Sequence, residues 1–183
     1  MCFAWLRNLL CKDLSEEIKE LNEYHKEEIK ELNDYHKEEI KELNETLNYY
    51  EGGPTPKTSG TISYDSLKEL FEGKTKHLFL SDAEYKLVSY DSMKEFLDWD
   101  RTDREKWTMT WRDCDDFSYR LMGQASTPEW ASIAFGIAWS KTHAFNVFVS
   151  EDRIPFIIEP QTDKIIKLEE AQGAYADLQL VLI

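Results

Sequence analysis

The stretch THAFNVFVSEDRIPFIIEPQ, residues 142–161, predicts a β-hairpin with a titratable side chain near each end. Two runs of mainly apolar and β-branched residues flank the polar tip Ser150–Asp152, which is the pattern of two antiparallel strands joined by a turn. A loop of three or five residues centred on Glu151 would place His143 directly opposite Glu159 on one face of the sheet. A loop of two or four residues would send these side chains to opposite faces. A loop of three or five residues therefore predicts a histidine–carboxylate pair at the open end of the hairpin.

The sequence around this hairpin predicts an α+β domain in which helices come first and an antiparallel sheet comes after. Ser66, Ser81 and Ser92 each stand three residues before a glutamate, which is the capping-box spacing of a helix start. Asp113 is a fourth predicted N-cap, for a helix that begins at Cys114. Beyond it, five apolar runs predict strands: ASIAFGIAW, THAFNVFVS, RIPFIIE, KIIKLEE and DLQLVLI.

The first fifty residues are dominated by an eleven-residue repeat. SEEIKELNEYH, KEEIKELNDYH and KEEIKELNETL follow one another, so an Ile and a Leu recur in register, and the apolar stripe extends back through Leu14, Leu10, Leu6 and Phe3. A single helix with this stripe cannot bury it alone and is expected to pack against copies of itself. We expect a homo-oligomer through residues 3–50, with a trimer or tetramer favoured. His25 and His36 lie beside the stripe, either as half-solvated edge residues or as stacked layers that bind a metal or anion or respond to pH.

The segment EGGPTPKTSG separates the repeat from the rest of the chain. Glycine and proline at this density end a helix and form a linker. The predicted organisation is therefore a coiled-coil helix over residues 1–50, a linker over 51–60 and an α+β domain over 61–183.

The composition and net charge of the chain argue against some classes of binding partner. A formal net charge of −14 at pH 7 argues against a nucleic-acid-binding surface, which requires clustered Lys and Arg. No apolar run is long enough to span a membrane, and the opening MCFAWLRNLLCK lacks the cleavage site of a signal peptide. Three scattered cysteines do not form a disulfide framework. We expect a cytoplasmic or virion-associated protein with no nucleic-acid partner and no membrane span.

Cys114 is the residue that would complete a nucleophilic site with His143 and Glu159. A histidine held by a carboxylate has a fixed tautomer, as in a catalytic triad, and lacks only a thiol or hydroxyl partner. Cys114 lies at a predicted helix start, where the helix dipole favours negative charge. Each residue also has a plain structural interpretation, with Cys114 as a small buried apolar side chain. A zinc site is a further alternative, but no fourth ligand is apparent.

The motifs DCDDFSYRLMG around Cys114, HAFNVFV from His143 and IIEPQT around Glu159 resemble papain-like and transglutaminase-like cysteine peptidases. The closest resemblance is to the C-terminal domain of fungal chimerolectin agglutinins and to small phage-encoded relatives. It implies a papain-like fold, with Cys114 as nucleophile, His143 as general base and acid, and Glu159 as the orienting carboxylate. It also implies amide hydrolysis or acyl transfer on a peptide or protein substrate.

Two further site features follow from the same resemblance. Papain-like enzymes use an oxyanion-hole glutamine upstream of the cysteine, but no Gln precedes Gln124 here, so Trp107 or Trp111 are the candidate donors. No cofactor is expected except for calcium, on which the agglutinins depend, and Asp115 and Asp116 are its candidate ligands. The alternative function is a non-catalytic structural or binding module, a degenerate papain-like domain on an oligomeric rod, as in a phage particle.

Overall fold

The computed structural model describes the backbone of residues 2–183 and the side chains of residues 11–47, 49 and 52–183. The chain divides into two compact units, one ending at Gly52 and the other spanning Gly53–Ile183. Among the described residues, no helix combines the length and the apolarity needed to cross a membrane.

The first unit is one long helix, α1, which runs from Cys2 to Glu51. The side chains of its apolar stripe from residue 14 onward are exposed by 54–66% in the single chain: Leu14, Ile18, Leu21, Ile29, Leu32, Ile40 and Leu43. The predicted stripe residues Phe3, Leu6 and Leu10 lie outside the described side chains, as does Cys2. The helix itself does not bury this aliphatic stripe, which is a continuous apolar surface available for packing.

The two histidines of the repeat make the same local contacts. Nδ1 of His25 lies 3.3 Å from a Glu28 carboxylate oxygen, and Nδ1 of His36 lies 3.3 Å from a Glu39 oxygen. Each imidazole also meets the preceding tyrosine ring edge-on, with 5.7 Å between ring centroids. Both histidines are exposed in the single chain.

The second unit mixes helices and strands along the chain. Its elements in order are β1 (Thr58–Ser63), α2 (Tyr64–Phe71), β2 (Thr75–Phe79), β3 (Glu84–Val88), α3 (Tyr90–Trp99), the 3₁₀ turn Thr102–Arg104, α4 (Cys114–Gln124), β4 (Phe135–Trp139), β5 (Ala144–Val149), β6 (Pro155–Glu159), β7 (Lys164–Lys167) and β8 (Leu178–Leu182). Short 3₁₀ turns Leu168–Glu170 and Gly173–Tyr175 connect β7 to β8. The five strands β4 to β8 lie where the apolar runs predict them.

The main sheet has six strands in the order β2-β8-β4-β5-β6-β7, and β1 pairs with β3 in a separate two-stranded sheet. β2 is parallel to β8, whereas the other neighbours in the six-stranded sheet are antiparallel. The sheet is therefore mixed. β4 and β8 approach so closely at Gly136 that a Cβ there would lie 1.8 Å from the Leu182 carbonyl oxygen.

The predicted order of helices first and an antiparallel sheet after is wrong. Three strands, β1 to β3, lie between and around the early helices, and Ser81 leads into β3 rather than into a helix. β3 alternates buried and exposed side chains, which is the period of a strand. The caps of α2 and α3 are Ser63 and Ser89, each one turn before the predicted serine.

Both faces of the main sheet are covered. On one side, α2 contributes Leu67 and Phe71 to a cluster with Phe145, Val147 and Ile157. On the other side, α3 and α4 contribute Phe96 and Leu121 to a cluster with Phe148 and Ile158, among others. Every residue of β5 is buried as a result, so this strand is the centre of the core.

Candidate functional site

The β5–β6 hairpin has the predicted faces but a different register. Asn146 pairs with Ile158 and Val149 with Pro155, so the turn is centred on Asp152 and not on Glu151. The turn closes with Arg153 at a positive φ of 58°. Because the register differs from the prediction by two positions, every side chain keeps its face, and His143 reaches its partner diagonally instead of from directly opposite.

The structure brings His143 and Glu159 into direct contact. His143 Nε2 lies 2.6 Å from Glu159 Oε2, with side-chain exposures of 17% and 9%. Tyr175 donates its hydroxyl hydrogen to the same Oε2 at 2.8 Å, and the Gln161 backbone N–H donates to Oε1 at 3.3 Å. The His143 ring also meets Tyr175 edge-on at 5.5 Å between centroids. The carboxylate is thus held from three directions.

These contacts keep Glu159 ionised. Burial raises the pKa of its carboxyl, but the hydrogen bonds from His143 and Tyr175 outweigh that effect and hold the pKa below its ordinary value. The pKa of Tyr175 is raised to about 12 by burial and by its hydrogen bond to Glu159. An ionised carboxylate that fixes Nε2 leaves Nδ1 as the nitrogen available for another group.

Tyr175 is the site residue that the sequence analysis missed. It lies in the 3₁₀ turn Gly173–Tyr175, within a polar connection between β7 and β8. Its contact with Glu159 spans 16 residues of chain and follows no local pattern. An isolated tyrosine before the last strand is the only signal that the sequence carries.

Cys114 is the first residue of α4 and is a half-buried free thiol. Asn146 of β5 donates to the Ser118 carbonyl at 3.0 Å, and one turn later Leu121 shares a cluster with Phe148. α4 and β5 therefore run in the same direction, and Cys114 lies at the end of the sheet where β5 begins. His143 immediately precedes that strand.

The acidic residues around Cys114 divide into two roles. Asp116 accepts the Asp113 backbone N–H at 3.2 Å, so it caps the helix. Ligand atoms of Asp113, Cys114 and Asp115 lie within 4.8 Å of one another. The pKa of Asp115 is raised, first by its hydrogen bond with the Asp113 side chain and then by burial. Of the two predicted cation ligands, Asp116 serves as a helix cap, whereas Asp115 is hydrogen-bonded to the Asp113 side chain.

Trp107 and Trp111 belong to an exposed hairpin beside α4. Thr108 and Arg112 exchange both backbone hydrogen bonds, at 2.9 and 2.8 Å, and Thr110 turns the chain at a φ of 74°. The two indoles are exposed by 50% and 85%. An oxyanion donor works best where water is excluded, so these exposures suit a contact surface better than an oxyanion hole.

No family model and no curated protein matches the sequence. Two solved structures share the fold: a PSL1a-E64 complex, with 17% identity and a TM-score of 0.56, and Polyporus squamosus lectin bound to the human-type influenza-binding epitope Neu5Aca2-6Galb1-4GlcNAc, with 17% identity and a TM-score of 0.53. The matches cover 67% of this chain and 50% and 49% of those chains. The chain thus spans about half the length of each, and at this identity the likeness shows the fold alone.

The comparisons correct the family assignment made from the motifs. One of the two solved neighbours is described as a lectin and neither is described as a peptidase, so the assignment to papain-like or transglutaminase-like cysteine peptidases is withdrawn. The roles of hydrolase and cysteine protease, and the peptide substrate they implied, are withdrawn with it.

Proposed function

We propose that residues 53–183 form a non-catalytic binding module that α1 gathers into several copies. The observation that carries this proposal is the exposed aromatic hairpin, defined as residues 107–111. Trp107, Met109 and Trp111 are large apolar side chains in water, with Met109 exposed by 72%. Tryptophan combines a large apolar surface with an N–H donor, and for that reason it is enriched where proteins bind partners.

The hairpin is held in place by charge pairs and not by core packing. Glu105 accepts from Arg112 at 2.5 Å, and its other carboxylate oxygen lies 3.2 Å from an Arg120 nitrogen on α4. These contacts fix the backbone of the hairpin to the helix while leaving the indoles in solvent. A surface that is already ordered loses little conformational entropy when it binds.

A carbohydrate is the first ligand class to test, because Polyporus squamosus lectin is bound to Neu5Aca2-6Galb1-4GlcNAc in one neighbour. The full chain would be titrated with this glycan, and with Galb1-4GlcNAc alone, by calorimetry and by tryptophan fluorescence. We expect saturable binding and a fluorescence change. The variant Trp111→Ala is expected to bind about 30-fold more weakly, as is typical when a central aromatic contact is removed.

The matched control is Phe79→Ala, since Phe79 is an exposed aromatic residue of β2 and belongs to another part of the surface. This variant is expected to bind as the wild type does. Equal losses in both variants would indicate nonspecific adhesion, and no binding of either glycan would exclude a carbohydrate ligand of this type. A Trp111→Ala variant with unchanged affinity would exclude the hairpin as the contact surface.

Self-association through α1 would give this module several binding sites per particle. The aliphatic stripe of α1 is continuous over four turns and more, and the opposite faces carry Glu and Lys. Sedimentation at tens of micromolar should show a trimer or tetramer. The variant Ile29→Asn with Leu32→Asn should be monomeric, whereas Glu31→Gln, on a polar face, should not. A monomeric wild type would end this part of the proposal.

A second candidate function is thiol-dependent acyl transfer at Cys114. The observation that favours it is that Cys114 opens α4, which runs alongside β5, while His143, paired with Glu159, directly precedes β5; among the described residues, no hydrogen bond joins Cys114 to His143. In this reaction, Sγ attacks an acyl carbonyl to form a thioester, and the leaving group departs with a proton from His143. An acceptor then gives a proton back to His143 and takes the acyl group from sulfur.

Alkylation rates distinguish this candidate from the binding module. Iodoacetamide would be applied to the folded chain and the labelled cysteines would be located by mass spectrometry. If Cys114 is an activated thiol, it should react faster than the exposed Cys11, and His143→Ala should remove the difference. A Cys114 that reacts no faster than Cys11, with or without His143, would eliminate acyl transfer.

A further inference from the structure

The apolar stripe of α1 leaves open the direction in which copies of the helix pair. From Leu14 to Leu47 the stripe positions, with His25 and His36 among them, follow one another at steps of 4, 3, 4, 4, 3, 4, 4, 3 and 4 residues. This series is the same in both directions along the chain. Parallel and antiparallel copies can therefore both bring the whole stripe into contact, and the residues that flank the stripe decide between them.

The two histidines belong to the stripe and not to its edge. His25 and His36 occupy the same position of the eleven-residue repeat as Leu14 and Leu47. A repeat of eleven residues over three helical turns advances by about 98° per residue, so each histidine lies midway between the isoleucine column and the leucine column. The histidine positions therefore mark the centre of the stripe, from which its two sides can be measured.

The two sides of the stripe carry opposite charges. On one side lie Glu28 and Glu39, each three residues after a histidine and therefore about 65° from the centre of the stripe. On the other side lie Lys26 and Lys37, each one residue after a histidine and about 98° from the centre. All four side chains are exposed in the single chain. The stripe is thus bordered by a glutamate side and a lysine side.

Contacts within one chain leave these charges able to meet another copy. The glutamate side is held by the histidines, since Nδ1 of His25 lies 3.3 Å from Glu28 Oε2 and His36 makes the same contact with Glu39. Lys37 Nζ lies 3.6 Å from an Asp34 oxygen, and these two side chains are 78% and 61% exposed. An exposed pair of this kind contributes at most about 1 kcal/mol, so it does not prevent Lys37 from binding a carboxylate of a neighbour.

The direction of pairing determines which sides meet. In a parallel assembly the rotation axis runs along the rod, so the glutamate side of one helix faces the lysine side of the next. In an antiparallel pair the axis is perpendicular to the rod, so glutamates face glutamates and lysines face lysines. Opposite charges beside an apolar interface favour an arrangement and like charges disfavour it. We infer that α1 binds copies of itself in a parallel, in-register arrangement, in which His25 faces His25 and His36 faces His36.

This inference rests on the self-association proposed above and adds its direction. In a parallel assembly, residues 53–183 of every copy follow the same end of the helices. In an antiparallel assembly they would follow opposite ends of a helix of 50 residues, about 75 Å long. Binding modules at one end can bind several ligands on one surface together, which raises avidity without any new contact.

Cross-linking at the two histidine positions distinguishes the directions. His25→Cys and His36→Cys are prepared separately in the full chain, with Cys2, Cys11 and Cys114 replaced by serine, and each is treated with a short bifunctional maleimide. We expect each variant to cross-link to its own copies. In an antiparallel pairing of the whole stripe, residue 25 faces residue 36, and two copies of residue 25 lie about 16 Å apart along the rod. Cross-links that form only in a mixture of the two variants would overturn the inference.

Charge reversal on the glutamate side gives an independent test by sedimentation. Glu28→Lys combined with Glu39→Lys places lysines opposite lysines in a parallel assembly. We expect the concentration at half-assembly to rise about tenfold. Addition of Lys26→Glu and Lys37→Glu exchanges the two sides and should restore assembly to the wild-type concentration. In an antiparallel assembly the first pair of changes only replaces one like-charge contact by another.

The matched control is Glu27→Lys combined with Glu38→Lys, which changes the net charge equally. Each of these glutamates lies two residues after a histidine, about 164° from the centre of the stripe, and should have less than about a threefold effect. A wild type that is monomeric at tens of micromolar would remove the proposed self-association and this inference with it. An assembled wild type with equal effects in the control and in the Glu28 and Glu39 variant would leave self-association standing and overturn only its parallel direction.

Discussion

Replacement of Glu159 by glutamine tests whether the histidine–carboxylate pair holds this end of the sheet together. The substitution keeps the size of the side chain and removes its charge. It leaves one oxygen to accept hydrogen bonds and turns the other position into a donor, which faces both His143 and Tyr175 at the Oε2 position or the Gln161 N–H at the Oε1 position. Glu159 is 7% exposed, so water cannot replace the lost contacts.

The expected cost follows from the bonds that Glu159 accepts. His143 at 2.6 Å and Tyr175 at 2.8 Å both donate to Oε2, and a hydrogen bond to a charged group contributes roughly 1.5–3 kcal/mol. Relief of the buried charge offsets part of this loss, since burying a carboxylate is itself unfavourable. We therefore expect Glu159→Gln to lower the free energy of unfolding by about 2–4 kcal/mol at neutral pH.

The loss should depend on pH in a defined direction. The folded chain holds the pKa of Glu159 below its ordinary value of 4.5. The stabilisation is therefore present above that value and disappears as pH falls through the lowered pKa, where the carboxyl becomes protonated in both states. Wild type and Glu159→Gln should differ in stability at pH 7, and the difference should shrink as the pH falls below 4.5.

Urea unfolding at pH 7, pH 5 and pH 3, followed by tryptophan fluorescence, measures this difference. Five of the six tryptophans lie in residues 53–183, so the signal reports on that unit. Glu151→Gln is the matched control, because Glu151 is exposed on the turn of the same hairpin. A double-mutant cycle with His143→Ala separates the contribution of the pair from that of Tyr175, and we expect a coupling of about 1–3 kcal/mol.

Two results would refute this reasoning. A stability loss below about 0.5 kcal/mol at pH 7, equal to that of a surface substitution, would show that the carboxylate has no partner. A loss that stays the same at pH 3 would show that packing and not charge is responsible.

Three further substitutions should change the stability of the fold in a direction that follows from the surroundings of the residue. Gly136→Ala should lower the free energy of unfolding, measured in urea, by about 3 kcal/mol or more, because the added Cβ would collide with a carbonyl oxygen of β8. The control Gly123→Ala in α4 places its Cβ in open space and should leave the stability unchanged or raise it. Ser89→Ala should cost about 1 kcal/mol through loss of the α3 N-cap, and unchanged stability would contradict the cap. Asp163→Asn should be more stable than wild type by about 1–2 kcal/mol at pH 8, after allowing for solvent screening of this half-buried carboxyl, and equal to it near pH 4. The pKa of Asp163 is about 7 in the folded chain, above its ordinary value, so ionisation of this carboxyl at pH 8 destabilises the folded wild type. A wild type that is more stable than Asp163→Asn at pH 8 would contradict this reasoning.

Local patterns in the sequence predict much of the architecture. The eleven-residue repeat predicts α1, since its isoleucines and leucines recur at helical spacing whatever the rest of the chain does. The strands β4 to β8 follow from short apolar runs bounded by polar breaks. The hairpin prediction placed His143 and Glu159 on one face, and it survived an error of two positions in register because side chains alternate with a period of two.

Elements that depend on distant partners were not predictable in this way. β2 is a strand because it pairs in parallel with β8, about a hundred residues later, and its sequence TKHLF carries no strong local signal. Ser66, Ser81 and Ser92 share one spacing to a glutamate, yet two lie inside helices capped one turn earlier and one precedes a strand. A capping pattern cannot reveal which serine the chain will use, because that choice depends on where the helix packs.

The candidate site residues also divide into those that the sequence predicts and those that only the tertiary structure reveals. The sequence alone identified His143, Glu159 and Cys114, because a hairpin and a helix start are local features that place these side chains at element ends. Only the tertiary structure brought Tyr175 to Glu159 and put Asp163 under the electrostatic influence of Asp103 and Asp100. Those contacts join segments that are separate along the chain, and their positions follow from how the sheet packs against its helices and not from any pattern in the residues themselves.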